Sequence, residues 1–431
     1  MLEVAESPQA PARTRAFAIL VENPTYRWFF AGQGASLIGT WSQAAAARWI
    51  VYQMTESERA VGIVDAVETL PGVFVGLFAG AVADRVSPRL MLSAMQVGQA
   101  VLAFVLAMLV GSGSVHIWQM ALILAISQVF VTFEEPSRQV FQRRLVGRAS
   151  MGHAIALESG LFNVSRVLGP AMAGLCLSLV GWAAPFALNG LSFLAALGIL
   201  MVLRTPPKDP EEAEATADPA GQGGLLAGLA HVWHDRRVLR TFILLGFFGV
   251  AGMGYTALVP AYTQKLLHAA EGGYSALQVG GGIGSTAGAL LVAALVGMGR
   301  RDRLVPAGMA LAGVSLAAAG FVPGLLGGGL ALPAAVACMF ANGLGTIVVF
   351  ATAQTLVQAA VPDAVRGRVV GLWMIVYAGS FPIGSLAAGM LAGPLGIVPV
   401  MVGSAAICVA VALVVLATGA LAPAPGPEEG R

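Results

Sequence analysis

Asp65 and Glu68 stand three residues apart in a stretch, 61–83, that is otherwise almost wholly apolar. On a helix that spacing puts both carboxylates on one face. Arg48 interrupts the preceding apolar stretch, 28–53, near its end. As consecutive membrane-crossing helices with a 1.5 Å rise per residue, these stretches place Asp65 and Glu68 roughly 8 and 12 Å, and Arg48 roughly 10 Å, from the same end. Groups matched in depth in this way can form an ion-paired cluster. Two kinds of chemistry suit it: a proton-exchange site, in which a carboxylate alternates between a proton and Arg48, or a fixed pair that pins the two helices. Glu158 and Arg166 form a second set, eight residues apart and nearly on one face. Arg166 falls close to the middle of its stretch. There it must line a cavity or meet a carboxylate, and a structural role between helices is as good a reading as ligand binding.

The elements that carry these charges follow from hydropathy. Hydrophobic residues make up 57% of the 431 and charged residues 11%, with a mean hydropathy of +0.80. No water-soluble domain of this length hides so much apolar surface. Apolar runs of about 20 residues recur, the length needed to cross a hydrocarbon core as helices. The spacing predicts twelve spans, near 28–53, 61–83, 90–110, 115–134, 154–178, 184–203, 241–264, 275–298, 304–322, 330–352, 368–391 and 397–418. The expected class is an all-α integral membrane protein.

Of the 24 Lys and Arg residues, Arg48 and Arg166 fall inside spans and Arg59 and Lys265 in gaps on one side; all the others lie in the termini and the alternate gaps. By the positive-inside rule both termini are cytoplasmic and the span number is even. The polar residues 1–26 carry no cleavable signal, and the first apolar run is long enough to span. A multi-pass protein of the cytoplasmic (inner) membrane is expected, with the lipid bilayer as its partner. Topology explains the basic loops without nucleic acid. Cys176, Cys338 and Cys408 lie far apart in predicted spans and read as small core residues. They and the five histidines have no metal-ligand spacing, so no metal or cofactor is expected.

Residues 204–240 divide the chain. They open with Thr205-Pro-Pro-Lys-Asp-Pro and an acidic run at Glu211, Glu212 and Glu214, a disordered-linker composition. They close with Leu225, Leu226, Leu229, Val232 and Trp233 opposite His231, His234, Asp235 and Arg236, an amphipathic helix suited to the membrane interface. The expected organisation is a cytoplasmic segment 1–26, a six-helix bundle 27–203, the linker 204–240, a second bundle 241–418 and a tail 419–431. Shifting the first half by 215 residues puts Arg85 on Arg300, Gln139 on Gln354, Val146 on Val361, Gly169 on Gly384 and Gly174 on Gly389. A parallel repeat of this kind places a solute site where the two bundles face each other.

The loop after the second span reads Gly80-Ala-Val-Ala-Asp84-Arg85-Val-Ser-Pro-Arg89. It resembles the loop motif of the major facilitator superfamily: glycine, three residues, Asp-Arg, three residues, Arg. Gly39-Thr-Trp, Trp49-Ile-Val-Tyr-Gln-Met-Thr, Glu135-Pro-Ser-Arg-Gln, Phe162-Asn-Val-Ser-Arg-Val-Leu-Gly-Pro and Val361-Pro-Asp-Ala-Val-Arg-Gly-Arg-Val resemble one branch. That branch is the enterobactin-exporter and macrolide-efflux-like transporters, or transmembrane secretion effectors. The resemblance covers roughly residues 24–418 and implies two pseudo-symmetric six-helix bundles, the major facilitator fold. It implies that Gly80, Asp84, Arg85 and Arg89 form a cytoplasmic gate, with Asp84 facing the positive N-terminus of the eleventh span near Arg366 and Gly367. A solvated loop that only sets topology is the plainer reading. Ser87 and Leu90 depart from the pattern, where glycine and a basic residue are common, and Gly299 has no acid in the second half.

Glu134 and Glu135, at the end of the fourth span, are placed to meet Arg85 or Arg89 as a second cytoplasmic latch. Gly169-Pro170-Ala-Met-Ala-Gly174 partly matches the superfamily's antiporter motif; a proline kink with small residues for helix packing explains it equally. In the superfamily, spans one, four, seven and ten line the cavity. Their candidates are Gln33, Trp41, Gln128, Tyr255, Tyr262 and Asn342, each as suited to helix packing as to ligand contact. The glycine run from Gly280 to Gly288 lies inside a span, so close helix packing accounts for it better than a phosphate loop does. An arginine in the fourth span, common in drug/proton antiporters, is missing.

These readings converge on a secondary active transporter, a monomer exchanging protons for a small lipophilic or siderophore-like solute by alternating access. A lipid or lysophospholipid flippase is the rival within transport. A membrane-embedded enzyme or a non-transporting sensor is the rival outside it, and the scattered histidines weigh against an enzyme.

Overall fold

The computed structural model describes residues 12–83, 85–203, 224–295 and 301–421. They form a helical protein in which nine of the described helices are long and apolar enough to cross a membrane. Asp84 of the expected gate, most of the linker, Gly299 and Arg300, and the terminal segments 1–11 and 422–431 lie outside the described residues.

A short helix α1 (Ala12–Glu22) precedes the first span, α2 (Pro24–Thr55). Asn23 caps α2 by accepting from the Tyr26 amide, with Pro24 in the first turn, the usual chemistry of a helix start. Then follow α3 (Glu58–Ala83) and α4 (Pro88–Gly111). Ser87, which departs from the family pattern, is the N-cap of α4 and accepts from the Leu90 amide.

Spans four and five were expected as separate helices joined by a loop at 135–153. They instead form one long element, α5 (Ile117–Leu179), broken only at Gly147. Gly147 has φ 71° and ψ 167°, a conformation that residues with a Cβ rarely adopt, so the chain reverses there without a longer connection. The arms 117–146 and 148–179 project well past the apolar spans. Helix α6 (Ala184–Val202) completes the first bundle.

Helix α7 (Gly224–His234) is the linker helix. Its Gly228 lies against the backbone of Arg368 and its Val232 is buried in the second bundle, whereas Leu229 and Trp233 stay exposed. Asp235 caps α8 (Arg236–Met253) by accepting from the amides of Arg237 and Val238. The seventh span then leaves α geometry, running through a 3-10 segment (Gly254–Leu258) and a π turn (Tyr262–Leu266). The remaining spans are α9 (Glu271–Ala294), α10 (Leu304–Leu325), α11 (Ala331–Ala360), α12 (Asp363–Leu395) and α13 (Ile397–Thr418). Large apolar side chains such as Phe321, Leu413 and Val414 are exposed on the flanks, where lipid takes the place of a protein partner.

The two bundles meet chiefly through α3 against α12 and the second arm of α5 against α9. How they meet differs between the two ends. The basic face carries Arg85, Arg89, Arg143, Arg236 and Arg366; the far face carries the Glu56–Ser57 and Leu267–Ala270 turns. Toward the far face one apolar core runs through both bundles, from Ile50 and Val61 to Leu258, Leu277 and Ala388. Toward the basic face the core divides: Tyr26, Phe141 and Leu157 belong to the first bundle, Phe242, Val349 and Trp373 to the second. On α12, Gly367, Gly371 and Gly379 have no neighbour among the described residues within 4 Å of where a Cβ would stand. Among the described residues, the two bundles therefore share one core toward the far face and keep separate cores toward the basic face.

Candidate functional site

Between the bundles lies a cavity of about 400 Å³, closed toward the far face. Its walls take Trp41 and Arg48 from α2, Gln128 and Arg166 from α5, Tyr255 from the seventh span and Asn342 from α11. Four of the six residues expected to line a cavity thus meet there. Gln33 instead faces a small recess within the first bundle, beside Arg138 and Glu158. Tyr262 is buried, and its hydroxyl donates to the Ala319 carbonyl at 2.6 Å, which ties the seventh span to α10. Its place follows from the 3-10 segment Gly254–Leu258, which changes the helical phase between Tyr255 and Tyr262. Helical periodicity carried from Tyr255 to Tyr262 fails across that break.

The walls also include residues not singled out from sequence: Thr69 on α3, Gln278 and Ser285 on α9, and Tyr377 and Phe381 on α12. Gln278 and Ser285 are two turns apart on one face of a glycine-rich helix, a periodic polar signal available in the sequence. Packing explains the glycines: Gly280, Gly284 and Gly288 each lie against backbone of α11, so a Cβ there would meet its carbonyls.

The expected cluster of Arg48, Asp65 and Glu68 is arranged around one short ion pair. Arg48 Nε donates to Asp65 Oδ1 at 2.8 Å, with Asp65 only 1% exposed. The other carboxylate oxygen, Oδ2, accepts from Ser385 Oγ at 3.0 Å, and Ser385 belongs to α12 in the opposite bundle. Arg48 also stands 5.8 Å from the ring centre of Phe381. Glu68 follows Asp65 by one turn and is partly buried.

Glu158 and Arg166 do not meet. Glu158 pairs with Arg138, which also donates to Glu135 at 2.6 Å, so the three form a network inside the kinked α5. Arg166 lies 5.6 Å from the ring centre of Trp41, and among the described residues no carboxylate stands within ion-pair distance of it. The expected pairing of Glu134 or Glu135 with Arg85 or Arg89 is likewise not formed among the described residues. Glu134 is buried and accepts from Gln99 at 2.6 Å and Gln96 at 3.4 Å, and Glu135 turns to Arg138 and Gln139. Both stay within the first bundle because the fourth span continues as helix past them, which points their side chains at α4 and along α5 rather than into a loop. Arg89 donates to the Met201 carbonyl at 2.6 Å, and no described residue lies within 4 Å of where a Cβ on Gly80 would stand.

A row of polar contacts joins the bundles along the far face. Lys265 Nζ donates to Glu58 Oε1 at 2.8 Å, Gln53 to Gln264 at 2.9 Å, and the Tyr274 hydroxyl to the Ala45 carbonyl at 3.1 Å. Trp49 and Tyr274 stack with ring centres 5.2 Å apart. The Gly169-Pro170-Gly174 segment belongs to this seam. Gly169 lets α5 close on Trp41, Gly174 lets it close on Ser275, and Ser275 Oγ donates to the Pro170 carbonyl at 2.7 Å. Pro170 has no amide hydrogen, so the Arg166 carbonyl one turn earlier lacks a helical partner. Gly282 of α9 lies directly against it. The internal repeat appears here as geometry. Gly169 packs on α2 and Gly174 on α9; their counterparts Gly384 and Gly389 pack on Val250 of α8 and Glu58 of α3.

A family model described as transmembrane secretion effector matches residues 14–423. The multidrug efflux pump Tap of Mycolicibacterium fortuitum is 26% identical over 379 residues, covering 85% of this chain and 87% of that one. The staphyloferrin A transporter of Staphylococcus aureus is 22% identical over 242 residues, covering 56% of this chain and 59% of its own. Among solved structures, the nucleoside transporter NupG superposes with a TM-score of 0.72 at 14% identity, covering 92% of this chain and 99% of that one. The chain belongs to the transmembrane secretion effector family of major facilitator transporters; it is a multi-pass membrane protein and not an enzyme.

Proposed function

We propose that this family member is a proton-coupled exporter of a small lipophilic compound, drug-like or siderophore-like, working as a monomer by alternating access. The basic face is cytoplasmic on the positive-inside argument, so the form described above is inward-open. Relatives named for multidrug efflux and for a siderophore support the solute class.

The observation that carries the reading is the double engagement of Asp65. One carboxylate oxygen holds Arg48 in the cavity wall; the other holds Ser385 across the far-face seam. With Asp65 ionised and the cavity empty, the pair and the seam reinforce each other and the outer side stays shut. A proton on Asp65 removes the ion pair and weakens the acceptor. A solute seated against Arg48 competes for the same guanidinium. Either event releases the seam, whereas an empty, ionised carrier is held. That rule makes release of the seam depend on a proton or a solute, the two species that the proposed exchange moves.

The test is uptake into everted vesicles under an imposed proton gradient, screening lipophilic dyes and siderophore-like metabolites. Accumulation that collapses when a protonophore is added is the expected result. Accumulation indifferent to the gradient rules out proton coupling.

A further inference from the structure

Among the described residues, Arg166 is the one guanidinium in the cavity wall with no carboxylate within ion-pair distance. Asp65 and Glu68 accompany Arg48, and Asp65 is further engaged by Ser385. Glu158, on the same arm of α5 as Arg166, is bound to Arg138 instead. On α9, packed against that arm, the cavity residues are Gln278, Gly281, Gly282 and Ser285, none of them charged. The Arg166 guanidinium is therefore left over the Trp41 face, and Trp41 in turn meets Phe162 edge-on with ring centres 5.6 Å apart.

A cation held near the middle of a membrane protein without a counter-charge is costly, and such residues mark solute or ion pathways. Stacking on an aromatic ring offsets part of that cost and leaves the edge of the planar guanidinium open. That edge is a two-pronged donor matched to a carboxylate, sulfonate or phosphate. Around it the cavity is lined by Trp41, Phe162, Tyr255, Tyr377 and Phe381, surfaces that hold a flat aromatic body. The kink at Pro170 and the close approach of Gly282 to the Arg166 backbone fix where the side chain starts.

We infer that Arg166 is the docking point for the anionic group of an amphipathic aromatic solute, with Trp41 and Phe162 holding its apolar body. The inference rests on the cavity being the solute site of the proposed exporter, and it narrows that solute to organic anions.

The test uses two dyes that share one xanthene scaffold and differ in charge: fluorescein, an anion, and rhodamine 123, a cation. Binding is measured by fluorescence anisotropy on the purified full chain in nanodiscs. The unaltered protein is expected to bind fluorescein about tenfold more tightly than rhodamine 123. Arg166→Gln should weaken fluorescein about tenfold or more while rhodamine 123 binding persists, which also reports that the variant is folded. Arg166→Lys, which keeps the charge without the two-pronged geometry, should retain the preference for fluorescein in weaker form. A rhodamine 123 preference in the unaltered protein, or undiminished fluorescein binding by a folded Arg166→Gln, overturns the inference. Should Arg166→Gln not fold, the ratio of the two dyes on the unaltered protein and on Arg166→Lys decides. These measurements need no gradient, so gradient-driven export of cations only would sink the anion inference and leave proton-coupled export standing. Anion binding with no gradient response would do the reverse.

Discussion

Asp65 on α3 accepts a hydrogen bond of 3.0 Å from Ser385 on α12, across 320 residues of sequence and across the seam between the two bundles. The same carboxylate holds Arg48 at 2.8 Å. One carboxylate is thereby shared between a cavity-wall guanidinium and the contact that joins the two bundles.

Asp65→Asn leaves Arg48 without its partner in a buried site, a change that typically costs about 3–5 kcal/mol. The expected outcome is a protein that still inserts but has lost gradient-driven transport. Combined with Glu68→Gln, it should also lose any dependence of solute movement on pH, read in vesicles at several external pH values. Unchanged proton dependence in the double variant rules out this cluster as the coupling site.

Ser385→Ala spares the ion pair and removes the cross-bundle hydrogen bond, worth about 1 kcal/mol, together with a long 3.5 Å contact to the Thr256 hydroxyl. It should raise the population open on the far face about fivefold at that energy and let some empty carrier cross over. Proton leak through the variant without solute, measured with a pH-sensitive dye inside vesicles, checks this.

At Gly62 and Gly389 the backbones of α3 and α12 come close: a Cβ at Gly62 would stand 2.5 Å from the Ser385 carbonyl, and one at Gly389 would stand 2.6 Å from the Glu58 carbonyl. Gly62→Leu should therefore prevent far-face closure and hold the carrier open there. Reaction of a far-face cysteine with a membrane-impermeant maleimide should rise severalfold while transport stops. An unchanged labelling rate would mean that the helices can part without loss of function.

Lys265 and Glu58 pair at the rim, where Lys265 is 47% exposed. Such a pair contributes about 0–1 kcal/mol, so either single reversal should slow transport modestly. The swap Glu58→Lys with Lys265→Glu should restore it, because the two residues act as a unit.

Asp84→Asn tests the gate implied by the family motif on the basic face. Transport should be lost while the protein remains folded and inserted, because the contact matters only when that face closes. Retained transport would reduce the Gly80–Arg89 segment to a topology signal.

Much of this arrangement was legible in the residues alone. Hydropathy and basic-residue placement gave the crossing helices, and the pairing of Arg48 with Asp65 followed from matched depth on adjacent spans. What was hidden had particular causes. Tyr262 leaves the cavity face because the 3-10 segment Gly254–Leu258 shifts the helix phase ahead of it. Glu134 was expected in a latch because the fourth span was ended at residue 134, whereas the helix runs on to Gly147 and turns that carboxylate to Gln96 and Gln99. Arg166 and Glu158 were grouped by spacing, but Arg138 takes Glu158 from a different arm of the same helix. The Ser385 bond to Asp65 joins the two halves of a repeat, and no local pattern reports a contact of that range.

Opening of the far-face seam is read from the distance between spin labels on exposed far-face residues of the two bundles, Arg59→Cys and Gly272→Cys. The measurement would be made in a background lacking Cys176, Cys338 and Cys408, in nanodiscs at neutral and acidic pH. If Asp65 holds the seam, the distance is short at neutral pH, a longer population grows in on acidification, and Asp65→Asn shows the longer population at both. A pH response that survives intact in Asp65→Asn would contradict it.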